Sequence, residues 1–145
     1  MRESIGNAYL LGIVAFFVTI IMLFFVASMN YTRAFKAKNR IINILETNKT
    51  FNGTVEDEIN KSLGDMHYRI ANNAKCPTDG RFQNAGLKNQ TRGTSSYRYC
   101  VYEFNEANDR GTYYGVVTYM YFDIPLINVT LEFPVYGETK TMGVY

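Results

Sequence analysis

The stretch SMNYTRAFKAKNRIINILE, residues 28–46, decides how the rest of the chain is read. It follows an apolar run and carries Arg33, Lys36, Lys38 and Arg40 within eight residues. Its apolar side chains, Tyr31, Ala34, Phe35, Ile41, Ile42 and Leu45, keep to one helical face. Arg33, Lys36, Arg40, Asn43 and Thr47 fall on the other. Gly12 is the last glycine before Gly53, and no proline lies between them, so nothing in that window breaks a helix. The spacing therefore predicts one rod from the N-terminus to about Thr47, roughly 60 Å long at about 1.5 Å per residue.

Upstream, residues 8–29 carry no charge and are mostly Leu, Ile, Val and Phe. About 20 such residues span a hydrocarbon core of about 30 Å. The run is too long for the core of a signal peptide, and Ala27-Ser28-Met29 is a poor match to a small-residue cleavage site. The reading is a membrane helix (1–29), an amphipathic extension with its turn (30–53), and an α+β head (54–145). The apolar stripe of the extension needs a partner, either the chain's own head or a neighbouring subunit. Phe35, Ile41, Ile42 and Leu45 are its expected packing and assembly residues.

Charge is unevenly placed. Residues 30–50 hold five Lys/Arg against one Glu, a net +4, and residues 54–145 hold nine against eleven acids, a net −2. The head lacks the electrostatics of a nucleic-acid binder. The basic block is suited to anionic headgroups, although the positive-inside tendency alone would place it in the cytoplasm. Cys76 and Cys100 are the only cysteines. A pair in a head of this size points to a disulfide and an oxidising compartment. Closing that 25-residue loop would stabilise the head by roughly 3.5 kcal/mol in the chain-entropy account. Two unrelated buried thiols are the other reading.

NKTFNGT, residues 48–54, reads as a turn. Thr54 is the expected cap of a second helix, with Glu56 and Asp57 in its first turn. Val55, Ile59, Leu63, Met66 and Ile70 mark its apolar face and place its end near Asn72-Asn73. Residues 75–96 read as a surface loop. Strands are expected at 97–105, 112–124 and 126–133, the second and third stopped by Pro125 and Pro134, with a short fourth at 136–145. Helices followed by an antiparallel meander give an α+β head with a sheet of about four strands.

Catalytic parts are sparse. The sequence has no phosphate-binding glycine loop, no G-x-S-x-G and no HExxH. His67 is the lone histidine, and two cysteines cannot make a zinc site. Glu56, Asp57 and Glu58 are adjacent, so they do not share a helix face. Ten of the twelve tyrosines follow residue 67 and suit cross-strand packing better than an aromatic binding surface. Asn-X-Thr triplets at Asn48, Asn52, Asn89 and Asn128 are common by chance in an Asn- and Thr-rich chain. Gly6 and Gly12, with Ala8 and Ala15, are small enough to let membrane helices approach. No enzyme activity, cofactor, metal, nucleic acid or small-molecule substrate is expected.

The plan resembles a type IV pilin-like subunit, and more narrowly the TadE-like pseudopilins of tight-adherence pilus systems. Three pieces carry the resemblance: the short polar start MRESIGNAYLLGIVAFF, the amphipathic YTRAFKAKNRIINILE, and the C-terminal VVTYMYFDIPLINVTLEFPVYGETKTM. Residues 52–110 stay outside it. The resemblance implies a structural subunit that helps assemble a surface pilus or secretion filament. Its partners would be membrane lipid, other pilin-like subunits and platform proteins, with the N-terminus cytoplasmic and the head outside. Pilin precursors carry a Gly before the cleavage point and a Glu five residues later. Here Gly6 is followed by Leu11 at that place, which argues for a chain used uncleaved. Glu3 precedes Gly6, and the two form the expected N-terminal subunit contact. A membrane-tethered adhesin or sensor ectodomain is the alternative function.

Overall fold

The computed structural model describes residues 2–68, 75–88, 99–105, 111–124 and 129–143, with backbone alone at 2–5, 123, 124, 129 and 130. The first element, α1, is one unbroken helix, Arg2–Asn48. Its 47 residues make a rod of roughly 70 Å, so the amphipathic stretch continues the apolar one without a hinge. A 13-residue helix, α2 (Gly53–Asp65), folds back against it. Then come a single 3-10 turn at Gly80–Phe82 and four strands: β1 (Gly86–Leu87), β2 (Tyr99–Asn105), β3 (Thr112–Ile124) and β4 (Val129–Glu138). All pair antiparallel in the order β1-β2-β3-β4. The architecture is the expected α+β.

The second half of α1 lies across one face of this sheet. Ala34, Ala37, Ile41, Ile44 and Leu45 are buried, and their three- and four-residue spacing draws one stripe. Ala34 and Ala37 are small, which brings the helix close enough for the Thr118 hydroxyl to donate to the Ala34 carbonyl at 3.1 Å. Gly137 permits the same approach from β4, because a Cβ there would lie 2.7 Å from Lys38 Cδ and 2.9 Å from Ile42 Cδ1. Tyr99, Val101, Tyr114 and Val116 fill the near face of the sheet, and α2 adds Val55, Ile59 and Leu63 from the side.

The opposite face carries a smaller core of Cys100, Tyr102, Val117 and Tyr119. Residues 75–88, expected as a plain surface loop, cover it. Phe82 sits 4.4 Å from the Tyr102 ring and 5.4 Å from the Tyr136 ring, centroid to centroid. The Tyr102 hydroxyl donates to the Pro77 carbonyl at 2.6 Å, and the Tyr119 hydroxyl to the Lys75 carbonyl at 2.8 Å. Phe82, Ala85 and Leu87 pack on that core, and the two hydrogen-bonded carbonyls hold the segment down beside them.

Several boundaries differ from those expected. Asn52 caps α2, not Thr54: its Oδ1 accepts from the Val55 N–H at 3.0 Å. The helix stops at Asp65, well short of Asn72-Asn73. Met66 is exposed there, and Ile70 lies outside the described residues. His67 takes a left-handed φ of 51°. The N–H of His67 bonds the Gly64 carbonyl at 2.9 Å and that of Tyr68 the Leu63 carbonyl at 3.0 Å. That pair of bonds is the Schellman termination, with histidine at the position that usually holds glycine. Pro134 does not stop a strand. It sits within β4 opposite Tyr119, and β4 is an edge strand, where a missing N–H is tolerated. The expected short strand at 136–145 is therefore partly the end of β4, followed by one isolated bridge between Thr112 and Met142. Residues 97, 98 and 125–128 lie outside the described set.

Candidate functional site

The first half of α1 touches nothing. From Tyr9 to Val26 its large apolar side chains are 40–73% exposed, and its most apolar 18-residue window is entirely unburied. A run of that length and composition is long and apolar enough to cross a membrane. Leaving fifteen or so such side chains in water would forfeit about 1.5–3 kcal/mol each. Gly6 has open space around it, and Glu3 lies within the helix, its side chain outside the described set.

Of the four expected packing residues on the extension, Ile41 and Leu45 are fully buried and Ile42 is packed against the core's margin. Phe35 is not with them. It is 40% exposed and belongs to a second, outward stripe. Tyr31 stacks on it at 6.1 Å between centroids, and Lys38 Nζ lies 4.2 Å over its ring. Ala37 and Ile44 occupy the buried positions instead. Helical rotation accounts for this: at about 100° per residue Phe35 falls well round the helix from the stripe of Ala34, Ala37, Ile41, Ile44 and Leu45.

Cys76 and Cys100 form a disulfide, with Cα atoms 5.7 Å apart. It ties the covering segment to β2 and leaves no free thiol. Such a bond forms and persists in oxidising compartments.

Where β2 stops pairing at Tyr99, the edge of β3 beyond Thr118 is taken up by a side chain. The Tyr68 hydroxyl donates to the Tyr119 carbonyl and accepts from the Tyr119 N–H, each at 2.7 Å. One phenol thus does the work of the next strand, anchoring the end of α2 to the central strand. Burial pushes the Tyr68 hydroxyl up to about 12 against the pull of its backbone bond, and burial with the Tyr68 and Glu132 charges pushes Tyr119 to about 12. Tyr121 is driven higher still by the same causes, burial first. All three are neutral donors at any physiological pH. No feature of the sequence signals the Tyr68 clamp, because a tyrosine three residues past a helix reads like any other.

Beside this clamp is a cavity of about 500 Å³. Its walls come from α1 at Val26–Lys36, from the end of α2 at Met66–Tyr68, and from β3 at Tyr119 and Tyr121. A shallower one of about 330 Å³ lies at the far end of α1 between Glu46, Lys49 and Lys140. Among the described residues, no group of three or more His, Cys, Asp or Glu is placed to hold a metal. His67 Nδ1 faces the Asp65 carbonyl at 3.2 Å, a contact that caps the turn and presents no nucleophile to the ring.

Comparison of the chain with protein-family models, with curated proteins and with solved structures found no match.

Proposed function

We propose that the chain is a membrane-anchored, pilin-like assembly subunit, similar in plan to a TadE-like pseudopilin, that contributes to a surface pilus or secretion filament. One observation carries this reading. A single rigid helix is bare over its first half and packed on its own sheet over its second. Such a helix exchanges lipid for neighbouring helices without disturbing the head. The outward stripe of Tyr31 and Phe35 continues the bare surface past the membrane, where a neighbouring subunit would meet it. The N-terminus is cytoplasmic and the head outside, in keeping with the disulfide. The basic extension then lies on the outer side, an exception to a statistical tendency.

Phe35→Glu tests the assembly directly, because Phe35 is outside the core. The head should keep its melting temperature within a few degrees while co-purification with filament partners is lost. Unchanged co-purification would favour a tethered adhesin or sensor ectodomain. Orientation is read by single cysteines at Gln83 and at Glu3, labelled with an impermeant thiol reagent on intact cells. The native disulfide leaves a silent background. Label at position 3 and none at 83 would reverse the orientation.

A further inference from the structure

The 500 Å³ cavity has a position, a polarity and a charge that belong together. Its lowest wall residue, Val26, lies inside the charge-free run that ends at Met29. Its upper cations, Arg33 and Lys36, follow Met29 by four and seven residues, so they stand roughly 6 and 10 Å above the end of the run at about 1.5 Å per residue. A hydrocarbon core of about 30 Å inside a total of about 40–45 Å leaves a headgroup layer of about 5–7.5 Å on each side, so Arg33 starts at its outer edge and Lys36 just beyond, both within reach of the phosphates through their long side chains. The cavity therefore straddles the boundary between hydrocarbon and headgroups, with an aliphatic foot and a cationic rim.

The rim cations meet no counter-charge among the described residues of the wall. Arg33 and Lys36 have no ion-pair partner among the described residues, and none of the described wall residues is acidic. Glu132, opposite Tyr121 across the β3–β4 ladder, is the nearby carboxylate whose charge reaches the tyrosines. It is not part of the wall. The floor supplies neutral donors. Tyr121 lies in the floor beside Tyr68, its ring centroid 6.1 Å from that of Tyr68, and Asn30 adds an amide. Arginine beside lysine is the usual pairing for a phosphate, the guanidinium as a fork and the ammonium as a point charge.

We propose that this cavity binds the phosphate headgroup of an anionic membrane lipid, with Arg33 and Lys36 on the phosphate, Tyr121 and Asn30 on its polar substituent, and the acyl chains leaving past Val26. The site rests on the proposed membrane anchoring and not on filament assembly. A lipid held there fixes the head's height and rotation on the bilayer, because its wall is built from α1, α2 and β3 together.

The full-length chain in a neutral detergent is titrated with dihexanoyl phosphatidylglycerol, dihexanoyl phosphatidylcholine and inorganic phosphate, with binding read by tyrosine fluorescence and by thermal shift. The anionic lipid should bind saturably and at least tenfold more tightly than either of the others. The double variant R33Q/K36Q should lose at least tenfold in affinity, and Tyr121→Phe two- to fivefold, with circular dichroism and the disulfide unchanged. Equal binding of the two lipids, or unchanged affinity in the double variant, would overturn the site. Inorganic phosphate binding as tightly as the anionic lipid would make the ligand a free anion and overturn the lipid source. A filament-competent chain with no headgroup preference would sink this site alone, whereas a chain that binds the anionic lipid yet never co-purifies with filament partners would sink only the assembly reading.

Discussion

The two halves of α1 are one helix in two environments. From Ala8 to Val26 the side chains are apolar on nearly every side and all are exposed. After residue 30 one apolar stripe is buried under a sheet, and only Tyr31 and Phe35 among the large apolar side chains stay outside it. The first pattern is what a hydrocarbon surround selects, since a helix with no polar face has no direction to hide from water. The second is what a single protein contact selects. The difference shows that burial in this molecule is set by the spacing of polar residues more than by the amount of apolar ones. Equal helices with different polar periodicity find different solvents.

The largest effect that separates the halves is a charge placed in each. Ile41 has no exposed surface and contacts the near-face core, so Ile41→Asp should destabilise the head by about 3–5 kcal/mol, as an unpaired charge in a core does. Leu23→Asp, on the bare half, should leave the urea midpoint of the detergent-solubilised head unchanged and reduce membrane insertion instead. If both variants lowered head stability alike, the halves would not be independent and the bare helix would have to be packed on protein.

Next in size is the disulfide. Cys76→Ser with Cys100→Ser opens a 25-residue loop and frees the segment that covers the far face. The expected loss is roughly 3.5 kcal/mol by loop entropy, read as a lower urea midpoint. The same double variant should leave the membrane level of α1 intact, since the bond lies wholly in the head.

Tyr68→Phe comes third. It strips the Tyr119 N–H and carbonyl of their shared partner, and leaving buried backbone groups unsatisfied costs about 1–3 kcal/mol. The same residue gives a pH signature. Its folded pKa of about 12 stands above the unfolded value near 10, as does that of Tyr119. Between those values the unfolded chain releases the proton first, so stability is complete below about pH 10 and falls as pH rises through about 12. Alkaline unfolding followed by circular dichroism should show that fall, and Tyr68→Phe should flatten part of it. A variant with the wild-type alkaline slope would mean that Tyr68 does not titrate with unfolding.

How much of this was legible in the sequence follows the same division. The membrane run, the unbroken rod, the span of β3 and the disulfide were readable, because each rests on a period, a length or a residue count. Phe35 and Pro134 misled for opposite reasons. Phe35 is apolar but out of phase with the stripe of Ala34, Ala37, Ile41, Ile44 and Leu45, and the small alanines gave too little apolar weight for the true centre of the face to be read. Pro134 looks like a stop, yet it interrupts only an edge, and edge position is a property of the assembled sheet. The lining of the interfacial cavity was beyond reach. Tyr68, Tyr121 and Arg33 are far apart in sequence and meet only because α2 ends where it does.

That ending supplies the smallest test. The apolar period through Val55, Ile59, Leu63 and Met66 predicts continuation, but His67 turns left-handed and closes a Schellman motif. Left-handed backbone costs a non-glycine residue about 1–2 kcal/mol, less for the residue types that visit it most, histidine among them. His67→Gly removes that strain and keeps both capping bonds, at the price of a more flexible unfolded chain. The net should be a gain of up to about 1 kcal/mol, seen as a higher urea midpoint. His67→Val, whose branched side chain resists positive φ, should lose more than the glycine gains. If the valine variant were as stable as wild type, the turn would not be what ends α2. The register that carries Tyr68 to β3 would then have to be set from the strand side, by the hydrogen-bonding demand of Tyr119 itself.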